Sequence, residues 1–359
     1  MTGTAVALAA LGVTTASTTG AHGAERPAAH PTAQPAASTS YSVDGYLNDV
    51  TDVSRTEAWA VGWSGSGAAK TLLLHWNGQK WSPVTSPKPV AGVLLGMTKI
   101  SPTNILAVGF QMTSSTAEVP LILHWNGKAW SKVPGVPAVD GQFSAIGDAG
   151  GTLLAVGGLN APPMLNMERT GSTWKRLPVP SAPGDLESLV VTGTRDAWAA
   201  GVTANPSTGD PNGDVLLRWN GSSWKSQSFP LHGTNENLWR LAAGPGGAVW
   251  AVGDSHNNAQ TTFTPLSMLW NGSSWRKVAV SAPANSQLEG AAFVPGGTAW
   301  TVGSAAAGKH ALILQWTGTA WKQIASASPA SGSYLNYLSA VSASSTTSAT
   351  RRRNRSITL

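Results

Sequence analysis

The phrase Trp-Asn-Gly-x-x-Trp returns about every 48 residues along this chain, a period that marks one supersecondary unit copied and stacked. It reads Trp76-Asn77-Gly78 to Trp81, Trp125-Asn126-Gly127 to Trp130, Trp219-Asn220-Gly221 to Trp224 and Trp270-Asn271-Gly272 to Trp275. Divergent copies run from Thr170-Gly171 to Trp174 and from Trp316-Thr317-Gly318 to Trp321. All of the 17 Trp except Trp63 and Trp239 fall on repeat positions. A unit this short cannot bury its apolar face alone, so its neighbours must supply the other wall of the core.

The first copy reads as four strands. Leu47 to Val53 alternates as a first strand, and Ala58-Trp59-Ala60-Val61-Gly62 makes a second, with Trp59 and Val61 on one face. Leu72 to Trp76 is the third, and Lys80 to Val84 the fourth. Between the last two, Asn77-Gly78 is the strongest short hairpin signal, since both residue types accept positive φ in a type I′ turn. That two-residue turn sets Trp76 opposite Gln79 and Leu74 opposite Trp81, so Leu74, Trp76 and Trp81 share one side of the sheet. Later copies keep the second-strand ending at Gly109, Gly157, Gly201, Gly253 and Gly303. Copy three is the most divergent, with Arg169 where the first Trp should stand. Insertions gather between strands two and three, as in residues 205–213.

A four-stranded repeat of this length, with Val-Gly closing strand two and Trp in strand four, resembles the kelch-type β-propeller. The resemblance covers residues 46 to about 328 and departs at one point: only Gly157-Gly158 shows the paired glycines of kelch units. It implies an all-β propeller of four-stranded antiparallel blades around a central channel, with binding of another molecule as its usual use. Six complete blades fall at about 46–87, 94–135, 143–180, 186–230, 238–281 and 288–328. An incomplete seventh starts at 334, where Tyr334-Leu335-Asn336 echoes Tyr46-Leu47-Asn48, and the propeller is set at 46–341. The indoles at Trp76, Trp81, Trp125, Trp130, Trp174, Trp219, Trp224, Trp270, Trp275, Trp316 and Trp321 are read as structural.

Outside the repeats, residues 1–24 resemble a secretory signal, with the apolar run Ala5 to Val13 but no Lys or Arg before Arg26. Residues 25–45 read as a Pro/Ala/Ser/Thr linker, and 342–359 as an unstructured tail whose composition suggests a frameshift or truncation. A secreted or cell-surface location follows. The net charge of +6 comes largely from Arg351, Arg352, Arg353 and Arg355, so the repeats carry no basic stripe and nucleic acid is not an expected partner. With no Cys, disulfides, thiolate metal sites and thiol nucleophiles are excluded. No stretch is long and apolar enough to read as a transmembrane span, and a monomer is expected.

Candidate chemistry is sparse. His75 and His124 share one repeat slot that elsewhere holds Arg218, Leu269 and Gln315, so they read as blade-surface residues and no metal site or cofactor is expected. Glu187 and Glu289 follow the first Leu of blades four and six, where blade one has Asn48 and blade five Trp239. If the first strand is innermost, these residues rim the channel. The off-pattern Trp63, and Trp239 beside Arg240, offer flat indoles for a sugar ring or a protein partner. Trp63, Glu187, Trp239, Arg240 and Glu289 are therefore the expected binding residues. A non-catalytic binding propeller for carbohydrate or protein is the first reading; a polysaccharide hydrolase or lyase using the rim carboxylates is the second.

Overall fold

The computed structural model describes residues 2–8 and 43–357, apart from 55, 66–67, 86, 115–116, 160–163, 180–183, 205–210, 232–234, 258, 295–297, 326–335 and 346–347. Side chains are described within 45–342, outside those gaps and outside 159, 204, 211–212 and 336–337. Most of the segments read as signal and linker, and most of the insertion at 205–213, lie outside the described residues.

Six antiparallel four-stranded meanders make the blades, each running from the channel outward in chain order. Their inner strands are Val43–Ser54, Gly92–Ser101, Gly141–Asp148, Gly184–Gly193, Glu236–Ala243 and Gln287–Phe293. A seventh inner position is taken by the segment around Leu338–Ser342, which lies between blades six and one. Among the described residues the apolar core divides into seven clusters, one for each junction between successive positions of this ring. Strand alternation explains the division: Ala58 and Ala60 face back toward the seventh position, while Trp59 and Val61 face forward into blade two.

The forward-facing indole of a second strand inserts against the Trp pair of the next blade. Trp59 lies 4.8 Å from Trp125 and 5.3 Å from Trp130; Trp198 meets Trp270 and Trp275; Trp250 meets Trp316 and Trp321. Each buried indole contributes about 2–3 kcal/mol of transfer free energy, plus offset or edge contacts between rings. Where blade three lacks the first Trp, Arg169 covers Trp174 instead, and Phe143 stacks on the same indole.

The hairpin register differs from the sequence expectation. Trp76 pairs with Trp81, His75 with Ser82 and Leu74 with Pro83, so the loop is four residues long. Gly78 has a φ of +91°, but Asn77 does not share the left-handed region, which rules out a type I′ turn. The cause is the Asn side chain. Its Oδ1 accepts the backbone N–H groups of Gln79 and Lys80, both at 3.0 Å, and holds a wider Asx turn. Asn126, Asn220 and Asn271 repeat the arrangement. Leu74, Trp76 and Trp81 still share one face, since the register moved by a full residue pair.

Ring closure joins distant parts of the chain. Ser342 Oγ accepts the Asp52 N–H at 2.9 Å and donates to the Asp52 carboxylate, which also lies 3.7 Å from Lys99 of blade two. The backbone of Ser348–Ile357 is extended and pairs with Val341–Ser345 and with Thr2–Leu8.

Candidate functional site at the channel mouth

Every complete blade carries a β-bulge at the same point of its inner strand. In blade one Leu47 pairs with Gly62 and Asp49 with Val61, leaving Asn48 as the extra residue. The same shift leaves Leu95, Ser144, Glu187, Trp239 and Glu289 unpaired in the following blades. A bulge leaves one residue unpaired, bends the strand locally and re-aims a side chain. Here the residue before it (Leu47, Leu94, Phe143, Leu186, Leu238 or Leu288) stays buried in the blade junction.

The bulge also explains the second-strand glycine. A Cβ on Gly62 would collide with the carbonyl oxygen of Tyr46, and one on Gly253 with that of Asn237. Gly109, Gly157, Gly201 and Gly303 meet the inner-strand backbone in the same way. Only glycine permits that approach. The Val-Gly signature and the channel-facing residue are two sides of one local geometry.

All six bulged residues line one cavity of about 420 Å3 at the channel mouth, together with Gln142, Arg240, Gln287 and Ser339. Below it the channel widens to about 930 Å3, walled by all seven inner segments. Arg240 borders both spaces and so sits at the floor of the mouth. Of the five expected binding residues, Glu187, Trp239, Arg240 and Glu289 converge here. Trp63 does not: it packs on Tyr46 with ring centroids 5.1 Å apart, and neither ring lines the mouth.

The blade-five side is the best-ordered wall chemically. Trp239 Nε1 donates to Asp254 Oδ1 at 2.6 Å, and Asp254 is fully buried. Gln287 Nε2 approaches the same oxygen at 3.5 Å, while His256 Nδ1 lies 3.4 Å from Asp254 Oδ2 and 3.3 Å from Asn237 Nδ2. This network fixes the plane of the indole. Behind it, Asp214 accepts the Leu238 N–H at 3.1 Å, at the residue preceding the bulge. Burial, opposed by that hydrogen bond and reinforced by the charges of Glu236 and Asp254, pushes the Asp214 pKa up to about 7.

Glu187 enters from blade four. Burial raises its pKa, the neighbouring Asp185 raises it further, and the Arg240 guanidinium acts in the opposite direction. Among the described residues the Glu187 carboxylate has no hydrogen bond or ion pair, and Arg240 Nε is buried without a partner. Asp185, itself raised by burial, presses its carboxylate against Gly158 of blade three, where a Cβ would collide with it.

Sequence reasoning missed Gln142, Gln287, Ser339 and the Asp214, Asp254 and His256 network. One signal was present: after the second-strand glycine the blades have Trp63, Phe110, Gly158, Val202, Asp254 and Ser304, and a carboxylate stands out in that series. The His slot is structural. His75 stacks on Trp59 at 4.3 Å and approaches Glu57 at 3.3 Å, and Arg218 covers Trp198 and Trp270 while pairing with Asp196 at 2.6 Å. Among the described residues no group of three or more His, Asp or Glu is placed to hold a metal ion, and no helix is long and apolar enough to cross a membrane.

No family model and no curated protein matches this chain. Solved structures do. The WD40 β-propeller domain of Doa1 aligns over 88% of this chain and 94% of its own, at 14% identity and a TM-score of 0.55. YCF48 bound to D1 peptide aligns over 88% and 95%, at 16% identity and a TM-score of 0.52. A polysaccharide lyase, an ulvan lyase bound to a GlcA–Rha3S ligand, aligns over 84% and 88%, at 10% identity and a TM-score of 0.53. At such identities the likeness shows the fold: the chain is a β-propeller repeat protein.

Proposed function

We propose that this chain is a non-catalytic binding propeller, secreted or at the cell surface, whose ligand is a carbohydrate seated in the channel mouth. The convergence of Glu187, Trp239, Arg240 and Glu289 on one cavity carries the reading, because four residues from three blades meet only there. Trp239 supplies a flat apolar platform whose polar edge is already occupied by Asp254, so its face is available to a sugar ring. Around it Asn48, Gln142, Ser144, Gln287 and Ser339 supply amides and hydroxyls suited to ring hydroxyls. Related folds serve both carbohydrate and peptide ligands, as the ulvan lyase and the YCF48 complex illustrate.

The kelch-like repeat assignment, the leader at residues 1–24 and the monomeric state belong to the same proposal. Immobilised oligosaccharides probed with the wild type and with Trp239→Ala test it. Binding lost in the variant with thermal stability retained supports the mouth as the site; binding unchanged in Trp239→Ala removes it. Polysaccharide cleavage is the second reading, favoured by one observation: Glu187 has a raised pKa, as a general acid requires, and shares its cavity with Glu289. Reducing-sugar or unsaturated-product release that disappears in Glu187→Gln would establish it in place of simple binding.

A further inference from the structure

The charges of the mouth narrow the ligand class, on the assumption that a sugar binds there at all. Glu187 and Glu289 face one guanidinium, Arg240, within the cavity. The surrounding shell is acidic too: Asp185 flanks Glu187, and Asp254 backs Trp239. Of the basic side chains nearby among the described residues, Lys277 lies 3.6 Å from Glu236, and His256 Nδ1 lies against the buried Asp254. Glu187 is then a half-buried carboxylate on which Arg240 acts through charge, with no hydrogen-bonded partner of its own among the described residues. A half-buried carboxylate without a hydrogen-bonded partner gains a charge-assisted contact from a ligand that brings a cation to it.

We propose that the mouth selects an amino sugar: a pyranose that lays its apolar face on Trp239, presents its hydroxyls to the amide and hydroxyl side chains of the rim, and directs a protonated amine to Glu187. Each element of the wall has a role in this pose. The indole adds cation–π attraction to stacking when the ammonium lies near its face. Arg240 at the floor orients a ring oxygen or hydroxyl and does not compete for the amine. A uronate or sulfated sugar would set its anion against Glu187, Glu289 and the acidic shell, and is rejected. The side chain of a basic peptide would satisfy Glu187 but leave the ring of amides and hydroxyls without partners, so a sugar fits the whole cavity better.

Titration calorimetry with three oligosaccharides of equal length separates the cases: glucosamine, N-acetylglucosamine and galacturonate, in 150 mM salt. The expected order is glucosamine first, N-acetylglucosamine weaker by roughly tenfold, the loss of one charge-assisted contact, and galacturonate undetected. Glu187→Gln should bring the first two affinities together, and Trp239→Ala should weaken both. A glucosamine preference that survives in Glu187→Gln overturns the amine assignment, as does equal or tighter binding of the neutral or acidic oligomer. Neutral oligomer bound through Trp239 with no amine preference would leave the carbohydrate site standing and sink this inference alone. Absence of all binding would sink both.

Discussion

Two neighbouring junctions of the ring show what the repeat supplies and what its unfinished copy lacks. Between blades five and six, Trp250 enters a Trp pair, 5.0 Å from Trp316 and 4.8 Å from Trp321, and Trp321 Nε1 donates to Ser267 Oγ at 3.0 Å. Between blade six and the seventh position, the equivalent Trp300 packs on Leu338 and Val341, and its buried Nε1 has no partner among the described residues. On the far side of that position, the Trp76–Trp81 pair of blade one meets Ala340 and no inserted indole. The same local sequence therefore makes a dense aromatic junction in one place and a plain aliphatic one in the next. The partner blade decides which.

The sharpest way to break this comparison is a pair of truncations. Trp250→Ala should cost about 3–5 kcal/mol, the range for a large aromatic lost from a packed core, and Trp300→Ala about half of that. Equilibrium urea denaturation of both variants measures the difference; equal losses would mean that the seventh position packs as well as a full blade. A second test asks whether closure depends on the polar clamp between Ser342 and Asp52 in place of the missing indoles. Ser342→Ala should cost about 1–2 kcal/mol by leaving buried Asp52 with less hydrogen bonding. The matching Ser188→Ala, which removes the hydrogen bond to Leu241 N between two complete blades, should cost less, since the aromatic junction there persists.

The junction of blades four and five adds a pH dependence. Asp214 is held protonated more readily folded than unfolded, its pKa rising from 3.8 to about 7. The folded state thus binds more protons between those values, and stability falls as pH rises through that window. Asp214→Asn keeps an acceptor for Leu238 N and removes the charge, so it should raise Tm by roughly 2–4 °C at pH 8 and change it little at pH 4. Melting curves at the two values decide it, and a stabilisation of equal size at both would show that ionisation is not the cause. The smallest effect is expected at the loop tips: Asn271→Ala, which removes the acceptor for the Ser273 and Ser274 N–H groups, should cost about 1 kcal/mol by the same denaturation assay.

The repeats were legible because indole and glycine spacing is a one-dimensional record of blade geometry. Strand order, the position of each Val-Gly and the rim location of Glu187, Trp239 and Glu289 all follow from counting residues. The Asn-Gly-x-x loop was misread for a physical reason. Backbone preference alone favours a two-residue turn, and the Asn side chain overrides it by capping two further amides. The carboxylate network behind Trp239 was largely illegible, since Asp214, Asp254 and Gln287 come from three blades and meet only when the ring stacks. Trp63 looked equivalent to Trp239 as an off-pattern indole, yet it follows the second-strand glycine and not an inner-strand leucine, and that offset places it on Tyr46.

The inner-strand bulge has a further implication for how such a molecule changes over generations. Because one unpaired residue per blade faces the opening while its neighbour anchors the junction, Asn48, Leu95, Ser144, Glu187, Trp239 and Glu289 form a set of positions that vary independently of the scaffold. Polar, acidic, aliphatic and aromatic residues already coexist there on one backbone path. Duplication hands each new copy a blank reading position, and recognition is rewritten one substitution at a time without renegotiating the core.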